Sequence, residues 1–148
     1  MKKIFLLTAL ILSLLACRKE HVKNDICDCA DSQSTVIIGS DTLIIPNLIT
    51  PNGDGYNDMW RIINIDKFPD CKVKVTRPGL FGGTVFESTG YTQMWDGSNK
   101  KEGKYKYEIT INGQTYKGFV CIYRGRTLNN YNCINACVKI DAGDPIAN

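Results

Sequence analysis

The chain has 148 residues, 43% of them apolar and 22% charged, with a net charge of +3 and seven cysteines. That length fits one ordinary domain with short extensions, and the apolar share is enough for a real core. The charges are interspersed and nearly cancel once Lys2 and Lys3 are set aside, which excludes the strongly basic footprint of a nucleic-acid binder.

Lys2 and Lys3, an apolar run from Ile4 to Leu15 and the small Ala16 stand in the order of a secretory signal over residues 1–16. The run is shorter than the roughly 20 residues a helix needs to cross a bilayer core, and the charged Arg18, Lys19 and Glu20 follow at once. Leu14-Leu15-Ala16-Cys17 resembles the lipobox of bacterial lipoproteins. The resemblance implies that Cys17 receives an acyl glyceryl group and becomes the first residue of the mature chain. Each buried acyl methylene contributes about 0.8 kcal/mol, so more than one chain on a terminus anchors it stably. The alternative is an ordinary secretory signal with an incidental cysteine.

Residues 17–34 are polar, lack periodicity and include Cys27 and Cys29; they read as a lipid-anchored tether. Two short β-branched runs follow, Thr35 to Ile38 and Thr42 to Ile45, separated by Gly39-Ser40-Asp41 and closed by Pro46. Beyond a polar, glycine-rich segment from Thr50 to Asp58, the next expected strands are Met59 to Ile63, Lys72 to Thr76 and Thr84 to Glu87. Each is bounded by turn residues such as Pro69-Asp70, Pro78-Gly79 and Gly82-Gly83. Tyr105, Tyr107, Ile109 and Ile111 then alternate with polar residues, and Asn112-Gly113 separates them from Gln114 to Tyr123. Asn-Gly is the favoured type I′ hairpin turn, because both of its central residues take positive φ. No stretch between Thr35 and Arg124 keeps helical spacing, so residues 35–125 are expected to form an all-β antiparallel sandwich of about seven strands. The cysteine-containing tail, residues 126–148, is expected to be pinned to it by disulfide, with a short helical turn over Cys133 to Cys137.

Assigning Cys17 to lipid leaves Cys27, Cys29, Cys71, Cys121, Cys133 and Cys137 as disulfide candidates, an even set that allows up to three bridges in an exported protein. Cys27 and Cys29 are too close to favour each other, and the remaining connectivities stay open. A zinc site built on the CxC and CxxxC pairs is the rival reading, disfavoured by an oxidising compartment.

The densest chemical signal is Thr50-Pro51-Asn52-Gly53-Asp54-Gly55-Tyr56-Asn57-Asp58. Oxygen ligands at Asn52, Asp54 and Asp58, with the Tyr56 carbonyl between them, match the alternate-residue spacing of calcium loops. A metal-free turn, in which Asn and Asp bond their own backbone, is the equal alternative. Trp95-Asp96-Gly97 reads as a buried aromatic anchor followed by a turn. Catalysis finds little support. The single histidine, His21, lies in the tether, no nucleophile has a recognisable base, and no glycine run forms a strand-to-helix phosphate loop.

Leu48-Ile49-Thr50-Pro51-Asn52-Gly53-Asp54-Gly55-Tyr56-Asn57-Asp58, Val85-Phe86-Glu87-Ser88, Gly90-Tyr91, Trp95-Asp96-Gly97, Gly103-Lys104-Tyr105-Lys106-Tyr107 and Tyr116-Lys117-Gly118-Phe119-Val120 occur in that order. Together they resemble the gliding-motility-associated C-terminal domain of Bacteroidetes, over roughly Ile45 to Arg124. The resemblance implies an immunoglobulin-like β-sandwich of the kind that serves as a type B sorting signal for type IX secretion. This chain differs in three ways: Arg77 to Gly83 replaces the family's usual Asn-Arg-Trp-Gly, a tail continues to Asn148, and no large cargo precedes the domain.

The expected function is therefore a membrane-anchored, non-enzymatic interaction module, with envelope or secretion-system proteins as partners. A calcium-dependent adhesin-like or glycan-binding module is the alternative. The expected site is the cell envelope, at the outer membrane, with the periplasmic or surface face left open by the mixed run Arg18-Lys19-Glu20-His21. Asp41-Thr42-Leu43 resembles the three-residue O-glycosylation motif of the same phylum and fits either face.

Overall fold

The structure is a computed structural model that describes Cys27, residues 34–80 and 82–125, Cys137 and Ile140. Among the described residues, seven strands form two sheets. β1 (Thr35–Ile38) and β2 (Asp41–Ile44) make an antiparallel hairpin, while β3 (Leu48–Ile49), β4 (Lys72–Thr76), β5 (Thr84–Thr89), β6 (Gly103–Ile111) and β7 (Gln114–Ile122) make a five-stranded sheet. The order in the larger sheet is β3-β7-β6-β4-β5, antiparallel except for the parallel β3–β7 pair. A single 3₁₀ turn, Ile65–Lys67, is the only helical element among the described residues.

The period-2 alternation of β4 and β6 sorts their side chains cleanly. Val73, Val75, Tyr105, Tyr107, Ile109 and Ile111 point inward and are buried, and the hairpin's Val36 and Leu43 meet them in one continuous core. Asn112 and Gly113 both take positive φ, 51° and 80°, so the β6–β7 hairpin closes through the two-residue turn that Asn-Gly favours. On the inner face Tyr107 lies across Gly118, its partner in register, so a Cβ at Gly118 would collide with the phenol ring.

One expected strand is absent and one strand is present that the sequence did not signal. Met59 to Ile63 is not a strand: Trp60 bridges Trp95 and Ile63 bridges Ile44, so two different neighbours take one residue each and no ladder forms. Trp60 and Ile62 still point inward, which is why the alternation imitated a strand. Leu48–Ile49, by contrast, is a strand too short to show a period, held by its register with Cys121 and Ile122. The helical turn expected over Cys133 to Cys137 lies outside the described residues apart from Cys137.

Trp60 organises the core. It is fully buried, its Nε1 donates to the Pro46 carbonyl at 2.6 Å, and its ring meets Tyr91, Trp95 and Tyr107 at centroid distances of 6.0, 6.3 and 5.3 Å. The Tyr91 hydroxyl donates to the Trp60 carbonyl and accepts from the Trp95 N–H at 3.3 Å. Burial pushes the Tyr91 phenol well above its ordinary range, so it stays protonated and keeps that donor. Trp60→Ala is expected to destabilise the domain by about 3–5 kcal/mol in denaturant unfolding. Trp60→Phe should cost less but leave the Pro46 carbonyl unpaired, giving an intermediate loss of about 1–3 kcal/mol.

Candidate functional site

Directly after β3 the chain enters the Thr50–Asp58 loop. Thr50 is fully buried and fastens both ends of it: its N–H donates to the Asn57 carbonyl at 2.9 Å and its hydroxyl to the Tyr56 carbonyl at 3.2 Å. Gly53, Gly55 and Asn57 take positive φ, 86°, 92° and 45°, which curls the backbone so that successive N–H groups face inward. Asp58 fills that curl. Its Oδ1 accepts from the N–H groups of Asn52 and Gly53, at 2.9 and 2.8 Å, and its Oδ2 from that of Gly55 at 2.8 Å. Asn52 Oδ1 accepts from Asp54 N–H at 2.9 Å, Asn52 Nδ2 donates to Asp54 Oδ2 at 2.8 Å, and Asp54 Oδ1 accepts from Tyr56 N–H at 2.9 Å.

Asn52, Asp54, Tyr56 and Asp58, the residues expected to ligate calcium, thus lie together. In this conformation their oxygens are engaged by donors of the chain itself, including the Tyr56 carbonyl. These hydrogen bonds by themselves account for the loop: Asn52 and Asp54 each accept from the N–H two residues on, as in Asx turns, and Asp58 closes the curl by accepting from three earlier N–H groups. An oxygen that accepts one such bond keeps a second lone pair, so the same set retains acceptor capacity for a cation. Burial opposes ionisation of Asp58, but the backbone donors of Gly53, Gly55 and Asn52 outweigh it and hold the carboxyl below its ordinary 3.8.

A second turn lies beside this loop. Asp96 Oδ1 accepts from Ser98 N–H at 2.9 Å and Oδ2 accepts from the Ser98 hydroxyl. These bonds, assisted by the Arg124 charge, lower the Asp96 pKa. Gly97 takes φ +63°, and a Cβ there would lie 2.8 Å from Ile122 Cδ1, so the turn needs glycine both for its conformation and for its packing. Trp95 is buried against Trp60 and Tyr105, the structural anchor its position implied.

Arg124, which the sequence did not single out, joins the two turns. Its guanidinium donates to the carbonyls of Pro51, Lys100 and Gly97 at 3.2, 2.9 and 3.1 Å, and its backbone N–H donates to the Glu102 carboxylate. An arginine fork suits this task because its rigid donors reach several carbonyls at once. All three acceptors are backbone atoms, so no pattern of side chains could have pointed to it.

The cysteines divide by face of the sheet. Cys27 and Cys121 form a disulfide across a sequence separation of 94 residues. Together with Leu48, Tyr123 and Cys137 they make a second apolar cluster on the outward side of β3 and β7. Engaged in that bond, neither Cys27 nor Cys121 is a zinc thiolate. Cys137 is also disulfide-bonded, while Cys17, Cys29 and Cys133 lie outside the described residues. Cys71, counted above among the disulfide candidates, is a free thiol with no exposed surface. It shares the inward parity of Val73 and Val75, so the sheet separates it from Cys121, and burial pushes its thiol pKa up.

The model of the CHU_C Type IX secretion signal domain matches residues 43–122, more than half of the chain. The chain belongs to that family. Neither a curated protein nor a solved structure matches it. The CHU_C match spans β3 to β7 and both turns described above, and leaves Cys27, Arg124 and Cys137 outside its limits. The disulfide and the Arg124 clasp thus each join a residue beyond the matched segment to the CHU_C domain.

Because the folded Asp58 carboxyl titrates below its ordinary value, its contribution to stability is complete above about pH 4 and is lost as the pH falls through the lowered pKa. Asp58→Asn should therefore lower the melting temperature at pH 7 and flatten its decline between about pH 5 and 2. Hydrogen exchange should show the faster opening at the Gly53 and Gly55 amides.

Proposed function

We propose that this CHU_C protein is a lipoprotein, anchored through Cys17, that presents its β-sandwich as a non-enzymatic interaction module to envelope or secretion-system components. The observation that carries the reading is the Cys27–Cys121 bond. It joins the segment that follows the lipobox-like Leu14-Leu15-Ala16-Cys17 to the last strand of a secretion signal domain, and it belongs to an oxidising compartment. A domain fastened in this way to a lipid-bearing terminus works at a membrane.

The polar residues of the two turns support a structural use over a catalytic one. Asp54, Asp58 and Asp96 accept hydrogen bonds that hold their own loops, and Arg124 is committed to three carbonyls. A groove of about 620 Å³ between Arg61–Asp66 and Gly90–Met94 is walled largely by Ile62, Ile63, Ile65, Tyr91 and Met94, a lining suited to contact more than to chemistry. No helix among the described residues is long and apolar enough to cross a membrane. The competing reading, a calcium-dependent adhesin or glycan-binding module, requires the Asn52–Asp58 loop, already held by its own hydrogen bonds, to take up a metal as well. A rise in melting temperature at millimolar calcium would favour it.

Metabolic labelling with a palmitate analogue tests the anchor. The wild-type chain should take up label and fractionate with membranes, and Cys17→Ala should lose both properties. Label that persists in Cys17→Ala, or is absent from the wild type, would refute lipid attachment at this residue. Protease treatment of intact cells then separates a surface module, which is cleaved, from a periplasmic one, which is protected.

A further inference from the structure

The outward face of the large sheet carries a charge pattern that only strand register assembles. Lys74 pairs with Glu87 on one side and Glu108 on the other, and Glu108 pairs in turn with Lys117, giving a row of alternating sign across β5, β4, β6 and β7. The Lys117–Glu108 ion pair at 2.8 Å confirms that these side chains share a face. The Lys117 hydrogen bond and charge, with that of Lys74, lower the Glu108 pKa. On either side of this row lie Lys72, opposite Thr110 and Thr89, and Lys106, opposite Thr76 and Phe119. Lys104 reaches over the Phe119 ring at 5.2 Å. Five lysines against two glutamates leave this face with three positive charges. Removing Lys2 and Lys3 with the signal takes the net charge of the whole chain from +3 to +1, so the rest of the protein is net acidic. The net positive excess of the chain therefore lies on this face.

The same face holds the attachment point of the N-terminal segment. Cys121 lies opposite Lys104 in register and points outward, where it bonds Cys27. Nine residues lie between Cys17 and Cys27, ten Cα-to-Cα steps that span at most about 35 Å when fully extended. An acyl group on Cys17 therefore holds the membrane within reach of the lysine face. We infer that this face rests on the anionic phospholipid headgroups of the leaflet that carries the acyl chains. The inference deepens the anchored reading, in which lipid at Cys17 keeps the face close to that leaflet. Lysines near an anionic leaflet add attraction that fades within a Debye length, so the contact needs low to moderate salt and is strengthened by the tether.

The test uses the acylated chain, purified from membranes and reconstituted into vesicles of phosphatidylcholine alone or with about one third phosphatidylglycerol. Acetylation by a lysine-reactive ester, read by mass spectrometry, should fall roughly threefold or more at Lys72, Lys74, Lys106 and Lys117 in the anionic vesicles and recover at about 0.5 M salt. Lys67, ion-paired to Asp41 beside the hairpin, is the internal control and should not change. Equal reactivity of the face lysines in both vesicle types overturns the inference, as does protection of Lys67 in their place. Protection by inorganic phosphate without vesicles also overturns it, since that would mark a free-phosphate site. The mass of the N-terminal peptide reports acylation separately. The exported, unacylated Cys17→Ala chain should still co-sediment with anionic but not neutral vesicles at low salt. The combined change Lys72→Gln, Lys74→Gln and Lys106→Gln should reduce that sedimentation by roughly tenfold without lowering the melting temperature. Failure of acylation with sedimentation intact removes the anchor and keeps the face; the reverse removes the face and keeps the anchor.

Discussion

The Trp60 indole sits where the parts of this protein that share no strand ladder must meet. Hairpin β1–β2 and the five-stranded sheet are separate hydrogen-bonded units, so side chains, and not a shared ladder, hold them together. Trp60 contributes a donor to the Pro46 carbonyl between β2 and β3, a backbone bridge to Trp95, and ring contacts to Tyr91 and Tyr107. The Tyr91 hydroxyl in turn bonds the Trp60 carbonyl and the Trp95 amide. Aromatic edges and faces at these separations add directionality to area burial, and buried N–H and O–H groups are costly unless partnered. The network fixes how the segment 59–63 crosses the core. It thereby sets the direction in which the Thr50–Asp58 loop and the Trp95–Ser98 turn leave it.

Those two turns show a division of labour between side chain and backbone. Inside each, short acidic side chains bond N–H groups a few residues away and make the turn locally self-sufficient. Between them, Arg124 collects carbonyls from both and fastens them to the end of β7. The first kind of bond is readable from spacing where it spans two residues, because Asn52, Asp54 and Asp96 each accept from the N–H two positions on, as in an Asx turn. The second kind is not, because backbone carbonyls have no residue identity.

The same distinction explains what else the sequence disclosed. The β6–β7 hairpin was legible because Tyr105 to Ile111 alternates and Asn-Gly admits positive φ at both positions. The motif order from Leu48 to Val120 placed the chain beside a known domain family. Met59 to Ile63 misled because inward alternation of Trp60 and Ile62 is shared by a strand and by an extended segment that bridges two different neighbours. Cys71 misled because counting cysteines ignores which face of a sheet each one occupies. The calcium reading of Asn52, Asp54, Tyr56 and Asp58 and the plain-turn reading require the same residues at the same spacing, so spacing alone does not choose between them.

A five-stranded sheet with one covered face must do something with the other. Here the outward positions divide into two territories. At the β3–β7 edge, Cys121, Leu48 and Tyr123 are closed over by Cys27 and Cys137, a small apolar cluster outside the main core. Toward β6, β4 and β5 the face is a ladder of lysine, glutamate and threonine, side chains that need no apolar cover. Because Cys121 has outward parity, it holds Cys27 on the side of the sheet that also carries the lysines, and one strand register sets both.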